Sequence, residues 1–313
     1  MGFLNFDRQE TVTATNVRTP QHLLELHQAW LKKLPGGIRA DLSRSTLSDR
    51  QWQSVCLRQA VLNSTTWLDA DLSDADLGGA EMSEADFRGA TLNRIDFTAA
   101  LSERVRFDQC LLMGANMAEL KAMETIWSNS VMPESRWLEA SLQNCKLDQS
   151  KIAKSSWNQA RLFGCDFSYA NMESAVMYRV RAQLSRFYGS TLVQANFNGS
   201  TLQDCNFDRA DLTSAKLQNC DATRSSFTRT KLESCDFRGC KLGGCEFSGA
   251  FMVHARFEGA VLRGADLRGA NMKGARELTS EQLSLARTDS TTILPNGTNG
   301  PYIKRSGAER PAR

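Results

Sequence analysis

The chain has 313 residues, 41% of them hydrophobic and 23% charged, with a formal net charge of +3. That is enough apolar material for a core, and no apolar run reaches the roughly 18 residues that a membrane span needs. Nine cysteines, an odd number, follow a start (MGFLNFDRQE) with no basic-then-apolar leader, so a reducing, cytoplasmic setting is expected. Export by a system that reads other signals stays open. Phe6 stands where a myristoylation signal needs Ser or Thr.

The first predicted element lies in an N-terminal segment, residues 1–39. Thr19 and Pro20 read as N-cap and first helical residue, and Pro35, Gly36 and Gly37 as the stop. The helix is expected at about 20–34, with Leu23, Leu26, His27, Trp30 and Leu34 on one apolar face.

From residue 40 a five-residue word repeats to residue 276. Its middle residue is large and apolar, from Leu42 to Met272, with exceptions at Ser102, Ala122, Ala182 and Ala222. A small residue precedes each middle by two, as at Ala70, Ala75, Ala80, Ala85 and Ala90. Thirteen of the 21 glycines take the last place in the word, among them Gly239 and Gly249. A five-residue period fits neither a helix nor a simple strand. It fits a chain that turns a corner after each word and points the small and large residues inward together. Glycine at the last place is then what a corner with unusual backbone angles favours.

Words such as Ala70-Asp71-Leu72-Ser73-Asp74 and Ala265-Asp266-Leu267-Arg268-Gly269 resemble the A-(D/N)-L-x-x repeat of the pentapeptide-repeat family. The resemblance covers residues 40–276. It implies an all-β solenoid, a right-handed quadrilateral β-helix with four words per coil, here about twelve coils of ~4.8 Å each. The residues support four sides independently. Every middle phenylalanine falls on one of two opposite sides: Phe87, Phe107, Phe167, Phe187, Phe207, Phe227 and Phe247, or Phe97, Phe197, Phe237 and Phe257. All four small exceptions fall on a single side.

The raw ends of such a stack need caps. After the last word, Thr279-Ser280-Glu281-Gln282 has capping-box spacing, so a short capping helix is expected within 277–288. Residues 289–313, rich in Gly, Pro, Asn and Arg, are expected to be a disordered tail.

No catalytic, cofactor or metal site is expected. Cys235, Cys240 and Cys245 tempt as a cluster, yet all cysteines but Cys56 occupy the small inward position, where packing explains them. Cys220 and Cys240 should stack one coil apart with parallel Cβ vectors, a geometry that opposes a disulfide. Of His22, His27 and His254 only His254 lies in the repeat, with no His–Cys or His–Asp pairing at useful spacing beside it, and the glycines follow the repeat rather than a phosphate loop.

Charge and outward apolar residues carry more. Residues 40–139 hold 9 basic and 16 acidic groups, and residues 140–276 hold 19 and 12. Asp69, Asp71, Asp74, Asp76, Glu81, Glu84 and Asp86 form an acidic run without a basic residue until Arg88. Phe163, Tyr169, Val176, Tyr178, Leu184, Tyr188 and Val193 take outward positions and form a candidate interaction surface. Leu111, Met113, Val131 and Pro133 do the same on a smaller scale. The alternative is that the N-terminal segment covers these residues. The expected function is a non-enzymatic scaffold, bacterial by resemblance, that binds a protein partner through its side faces. Self-association is a candidate; direct nucleic-acid binding is not expected. One branch of the family implies an alternative, a DNA-mimicking modulator of DNA gyrase or topoisomerase IV. The acidic run would support it and the net positive charge opposes it. A delivered effector or secretion-system accessory is the third reading.

Overall fold

The computed structural model describes residues 20–311. Thr19, read above as an N-cap, lies outside them. The chain divides into two compact units, residues 1–151 and 152–313.

In the first unit, helix α1 (Pro20–Leu31) precedes the repeat. Leu23 and His27 are buried, and His27 Nδ1 accepts a hydrogen bond from the Ala40 N–H at 3.0 Å. Burial pulls the His27 pKa down, which keeps the ring neutral for that role. Leu34 departs from expectation and is 54% exposed. The helix ends at Leu31 and Lys33 turns to φ 56°, so position 34 leaves the apolar face.

From Asp41 to Val131 each word pairs in parallel with the word twenty residues later. Asp41 bridges Val61, Thr46 bridges Thr66, Gln51 bridges Asp71 and Cys56 bridges Asp76, one bridge for each of four sides. The word therefore makes a side, and four sides close a coil. Three longer strands, β1 (Leu101–Glu103), β2 (Lys121–Met123) and β3 (Ser141–Gln143), stack in register on one side. Middles and small residues point in: Leu62, Trp67, Leu72 and Leu77 are fully buried, as are Ala60, Thr65, Ala70 and Ala75. Each buried Leu or Phe contributes on the order of 1.5–3 kcal/mol.

Most corners are hydrogen-bonded β-turns. The N–H of the small residue donates back to the carbonyl of the previous middle, as from Ala70 to Trp67 at 3.2 Å. The residue before it takes a left-handed φ, 54° at Asp69 and 60° at Asp74. This is the last place of the word, where the glycines concentrate.

The second unit repeats the plan. Ser156, Arg161, Asp166 and Asn171 bridge Val176, Arg181, Arg186 and Thr191 on its four sides. A three-residue strand, β4 (Arg161–Phe163), lies on the second of them. Aromatic middles stack in a column: Phe167, Phe187, Phe207, Phe227 and Phe247 lie 4.8–5.1 Å apart and within 7° of parallel. Phe197 and Phe237 meet this column edge-on from the opposite side. Volume is conserved around the coil. Ala182 and Ala222 lie between two aromatic middles, Phe187 with Phe197 and Phe227 with Phe237. In the first unit, Ala122 lies likewise between Trp127 and Trp137, whose rings are 5.3 Å apart.

At the end of the second unit, helix α2 (Ser280–Ser284) has the expected capping box. Thr279 Oγ1 accepts from the Gln282 N–H at 3.1 Å, and Gln282 Oε1 accepts from the Thr279 N–H at 2.7 Å. The Gln282 amide also donates to the carbonyls of Phe257 and Ala260. The expectation of a disordered tail is overturned for residues 289–311. Arg287 and Ile293 bridge Asp266 and Asn271, and Ile293 pairs antiparallel with Asn299. Thr292 and Leu294 are buried, and the Tyr302 hydroxyl bonds Ser280 and the Glu309 carboxylate. Composition hid this because a few buried side chains, not average hydropathy, hold the segment. No described helix is long and apolar enough to cross a membrane.

Candidate interaction surfaces

The outward aromatic residues lie in the second unit and wrap its coils. Phe163 is 45% exposed, Tyr169 61%, Tyr178 39% and Leu184 57%, whereas Tyr188 and Val193 are half-buried. Three groupings result. Tyr169 and Tyr188 meet edge to face at 5.5 Å. Phe163 and Leu184 occupy neighbouring positions of adjacent coils, because the Gly164 N–H donates to the Gln183 carbonyl. Val176 and Tyr178 flank the buried middle Met177. Val193 stands apart on the remaining side. Gly189 explains how Tyr169 lies down: a Cβ there would come within 2.7 Å of the ring.

Arginine accompanies every grouping, a feature that the apolar reading of the sequence passes over. The Arg179 guanidinium lies 5.0 Å from the centre of the Tyr178 ring, and Arg186 and Arg209 lie 5.3 and 5.8 Å from Tyr188. Arg161 and Arg181 are cross-coil neighbours beside Phe163. All five are exposed, and none forms an ion pair among the described residues.

The acidic run belongs to the first unit and is a girdle rather than a stripe, since five-residue steps distribute it around the coil. Five of its seven carboxylates meet an arginine. Arg39 meets Glu81 (2.7 Å), Arg58 meets Asp76 (3.4 Å), Arg94 meets Asp74 (2.6 Å), Arg104 meets Glu84 (3.0 Å) and Arg88 meets Asp86 (2.6 Å). The Arg94 fork holds the Asp74 carboxyl below its ordinary range. Asp71 is also shifted down: burial opposes the shift, but hydrogen bonds from Ser73 and Gln53 outweigh it. A linear count shows no base among residues 69–86; the fold brings arginines in from neighbouring coils.

Models of pentapeptide repeats match residues 56–94, 140–177, 183–219, 205–244 and 240–276, in 8 copies. The chain belongs to the pentapeptide-repeat family. Among solved members, HetL, involved in heterocyst differentiation regulation in the cyanobacterium Nostoc sp. strain PCC 7120, is 22% identical. The match covers 76% of this chain and 92% of HetL, with a TM-score of 0.31. Full-length QnrB1, a plasmid-mediated fluoroquinolone resistance protein, is 14% identical over 80% of this chain and 94% of its own, with a TM-score of 0.24. No curated protein matches the chain.

The cysteines of this pentapeptide-repeat chain serve its packing. Eight of the nine are buried and Cys56 is partly exposed; all are free thiols. They also do something the sequence does not announce. Cys110, Cys220, Cys240 and Cys245 donate to the carbonyls of Phe87, Phe197, Leu217 and Ala222, one coil back, at 2.8–3.1 Å. Ser200 and Thr230 make the same bond to Met177 and Phe207. A thiol or hydroxyl at the inward small position thus gives the middle's carbonyl a second donor, which Ala cannot. Burial pushes the Cys205 and Cys245 thiols up to about 12. A thiol reagent should therefore modify only Cys56 rapidly in the native protein, the other eight reacting on denaturation. Rapid labelling of all nine would reject the packing. Among the described residues, no group of His, Cys, Asp or Glu could hold a metal ion.

Proposed function

We propose that this pentapeptide-repeat protein is a non-enzymatic scaffold that docks a protein partner on the arginine-and-aromatic girdle of residues 161–193. The coils form a right-handed β-helix, about twelve in number at twenty residues each, with α1 and α2 closing the ends of the repeat at 40–276. The carrying observation is the coincidence of exposed rings with exposed arginines that have no counter-ion among the described residues. A merely solvated coil gains nothing from Phe163, Tyr169 and Leu184 on its outside. Tyr and Arg are the residue types that most often dominate interfaces. Coverage of the girdle by residues 1–19 concerns positions outside the described part of the chain.

The double substitution Phe163→Ser with Leu184→Ser tests this. Thermal stability should stay nearly unchanged, because both side chains are about half exposed or more. Capture of partners from a bacterial lysate, or self-association, should weaken. An unchanged capture profile with an unchanged oligomeric state would sink the proposal, and a large loss of stability would show that the chain covers these residues itself.

The DNA-mimicking alternative rests on an unscreened acidic face. Arginines meet Asp74, Asp76, Glu81, Glu84 and Asp86, which argues against that reading.

A further inference from the structure

Carboxylates run the length of the repeat with one gap. Of the twelve rows of twenty residues from 41 to 280, only 181–200 holds no Asp or Glu, and the carboxylate-free run extends from Ser174 to Gln203. It lies wholly in the second unit. Arg179, Arg181 and Arg186 fall inside it.

The gap matters most at one corner. Tyr178 and Arg179 end one side of the coil, and Arg181 begins the next, bridged to Arg161. The neighbours one coil on bring no charge: Asn198 and Gly199 lie beside Arg179, Thr201 beside Arg181. Arg161, Arg179 and Arg181 are exposed, with no counter-ion among the described residues. The next acid in the Arg181 column, Asp221, is two coils away and is held by Lys241 and Gln203. Asp204, on the same side, is held by Arg224 at 2.7 Å. Bases stack on bases elsewhere, as Arg256 on Arg276, but there Glu277 meets Arg256 at 2.7 Å.

The same side has an apolar edge. Strand β4 turns Arg161 and Phe163 outward and Leu162 inward. Phe163 and Leu184 therefore lie two to three residues along the side from the arginines, about 7–10 Å. At the basic edge, the Arg179 guanidinium lies 5.0 Å from the Tyr178 ring centre. That contact holds the planar fork in place and leaves its N–H edge to an incoming group.

We infer that an acidic segment of a protein partner occupies this corner. Two of its carboxylates lie on Arg161, Arg179 and Arg181, and an apolar side chain two or three positions away covers Phe163 and Leu184. Charge complementarity selects this occupant: uncompensated guanidiniums attract carboxylates, and each fork can hold one through two hydrogen bonds. A nucleic-acid strand fits less well. Its phosphates need a basic track, which Asp204 and Asp221 interrupt within two coils of Arg181. Its bases need open ring faces, and Tyr178 already carries Arg179. This occupant presupposes that the girdle docks a protein, and it adds the kind of segment that binds.

Fluorescence anisotropy of the full chain with a labelled peptide, Phe-Gly-Asp-Asp-Gly-Phe, tests it. The peptide should bind, and more weakly as salt is added. Replacing both its Asp residues by Asn should raise the dissociation constant about tenfold or more, and so should Arg161→Gln with Arg181→Gln. Arg229→Gln, at an exposed corner of another side, should change nothing. The Asn peptide is compared on the parent protein, so the result does not depend on how a variant folds. No binding at millimolar peptide, equal affinity for the Asp and Asn peptides, or indifference to the paired Arg substitutions would overturn the inference. So would tighter binding of a short oligothymidylate, which would make the occupant a nucleic acid. Capture from lysate separates this inference from the scaffold reading. If Phe163→Ser with Leu184→Ser loses a captured protein that Arg161→Gln with Arg181→Gln retains, the acidic segment falls and the scaffold stands. If both double variants leave capture and oligomeric state unchanged, both fall.

Discussion

Phe207→Ala is expected to lower the stability of the second unit by about 3–5 kcal/mol. The Phe207 ring is fully buried. It stacks on Phe187 at 4.8 Å and on Phe227 at 5.0 Å, and meets Phe197 edge-on at 6.1 Å. Truncation removes three aromatic contacts together and leaves a cavity. The cavity has little means to collapse, because the backbone around it is fixed. The Phe207 N–H donates to Ser226, and its carbonyl accepts from the Ala210 N–H and the Thr230 hydroxyl. The control is Arg229→Ala, an exposed corner residue with φ 55°, expected to change stability by no more than about 0.5 kcal/mol. Denaturant unfolding of both variants compares them. Equal losses at 207 and 229 would mean that the inward and outward positions are misassigned.

The coil was legible in the sequence because its core is periodic. One five-residue register assigned the inward positions from Leu42 to Met272, and the segregation of phenylalanines on two sides foretold the stacked columns. Thr279 and Gln282 were legible for a different reason: a capping box is a local motif with fixed spacing. What was not legible depends on which residues meet twenty positions apart. The acidic run reads as a bare anionic face until Arg94 and Arg104 arrive from the next coil onto Asp74 and Glu84. The outward aromatics were found as apolar departures, but their arginine partners were not, since Arg209 reaches Tyr188 from a later coil. Reading the sequence in rows of twenty would have placed Arg161 over Arg181. The ordered segment after residue 288 was missed because its buried residues, Thr292, Leu294, Pro295, Ala308 and Glu309, carry no period.

The corners give the last expected result. Ser214→Pro should destabilise by about 3 kcal/mol or more, while Ser214→Gly should stay within about 1 kcal/mol of the parent. Ser214 occupies the last place of its word with φ 58°. Its N–H donates to the Glu233 carbonyl of the next coil at 2.8 Å, and its side chain is exposed. Proline fixes φ near −65°, on the wrong side of the map for this corner, and it has no N–H to give the next coil. Both faults act on the backbone alone, since the serine side chain buries nothing. Glycine keeps the N–H and reaches the left-handed region without the roughly 1 kcal/mol that an L side chain costs there. That gain is offset by the greater freedom of glycine in the unfolded chain, so the two effects nearly cancel. Chemical denaturation of the pair separates backbone geometry from side-chain loss. If proline and glycine gave the same stability, the left-handed corner and its inter-coil hydrogen bond could not be what turns the chain after each word.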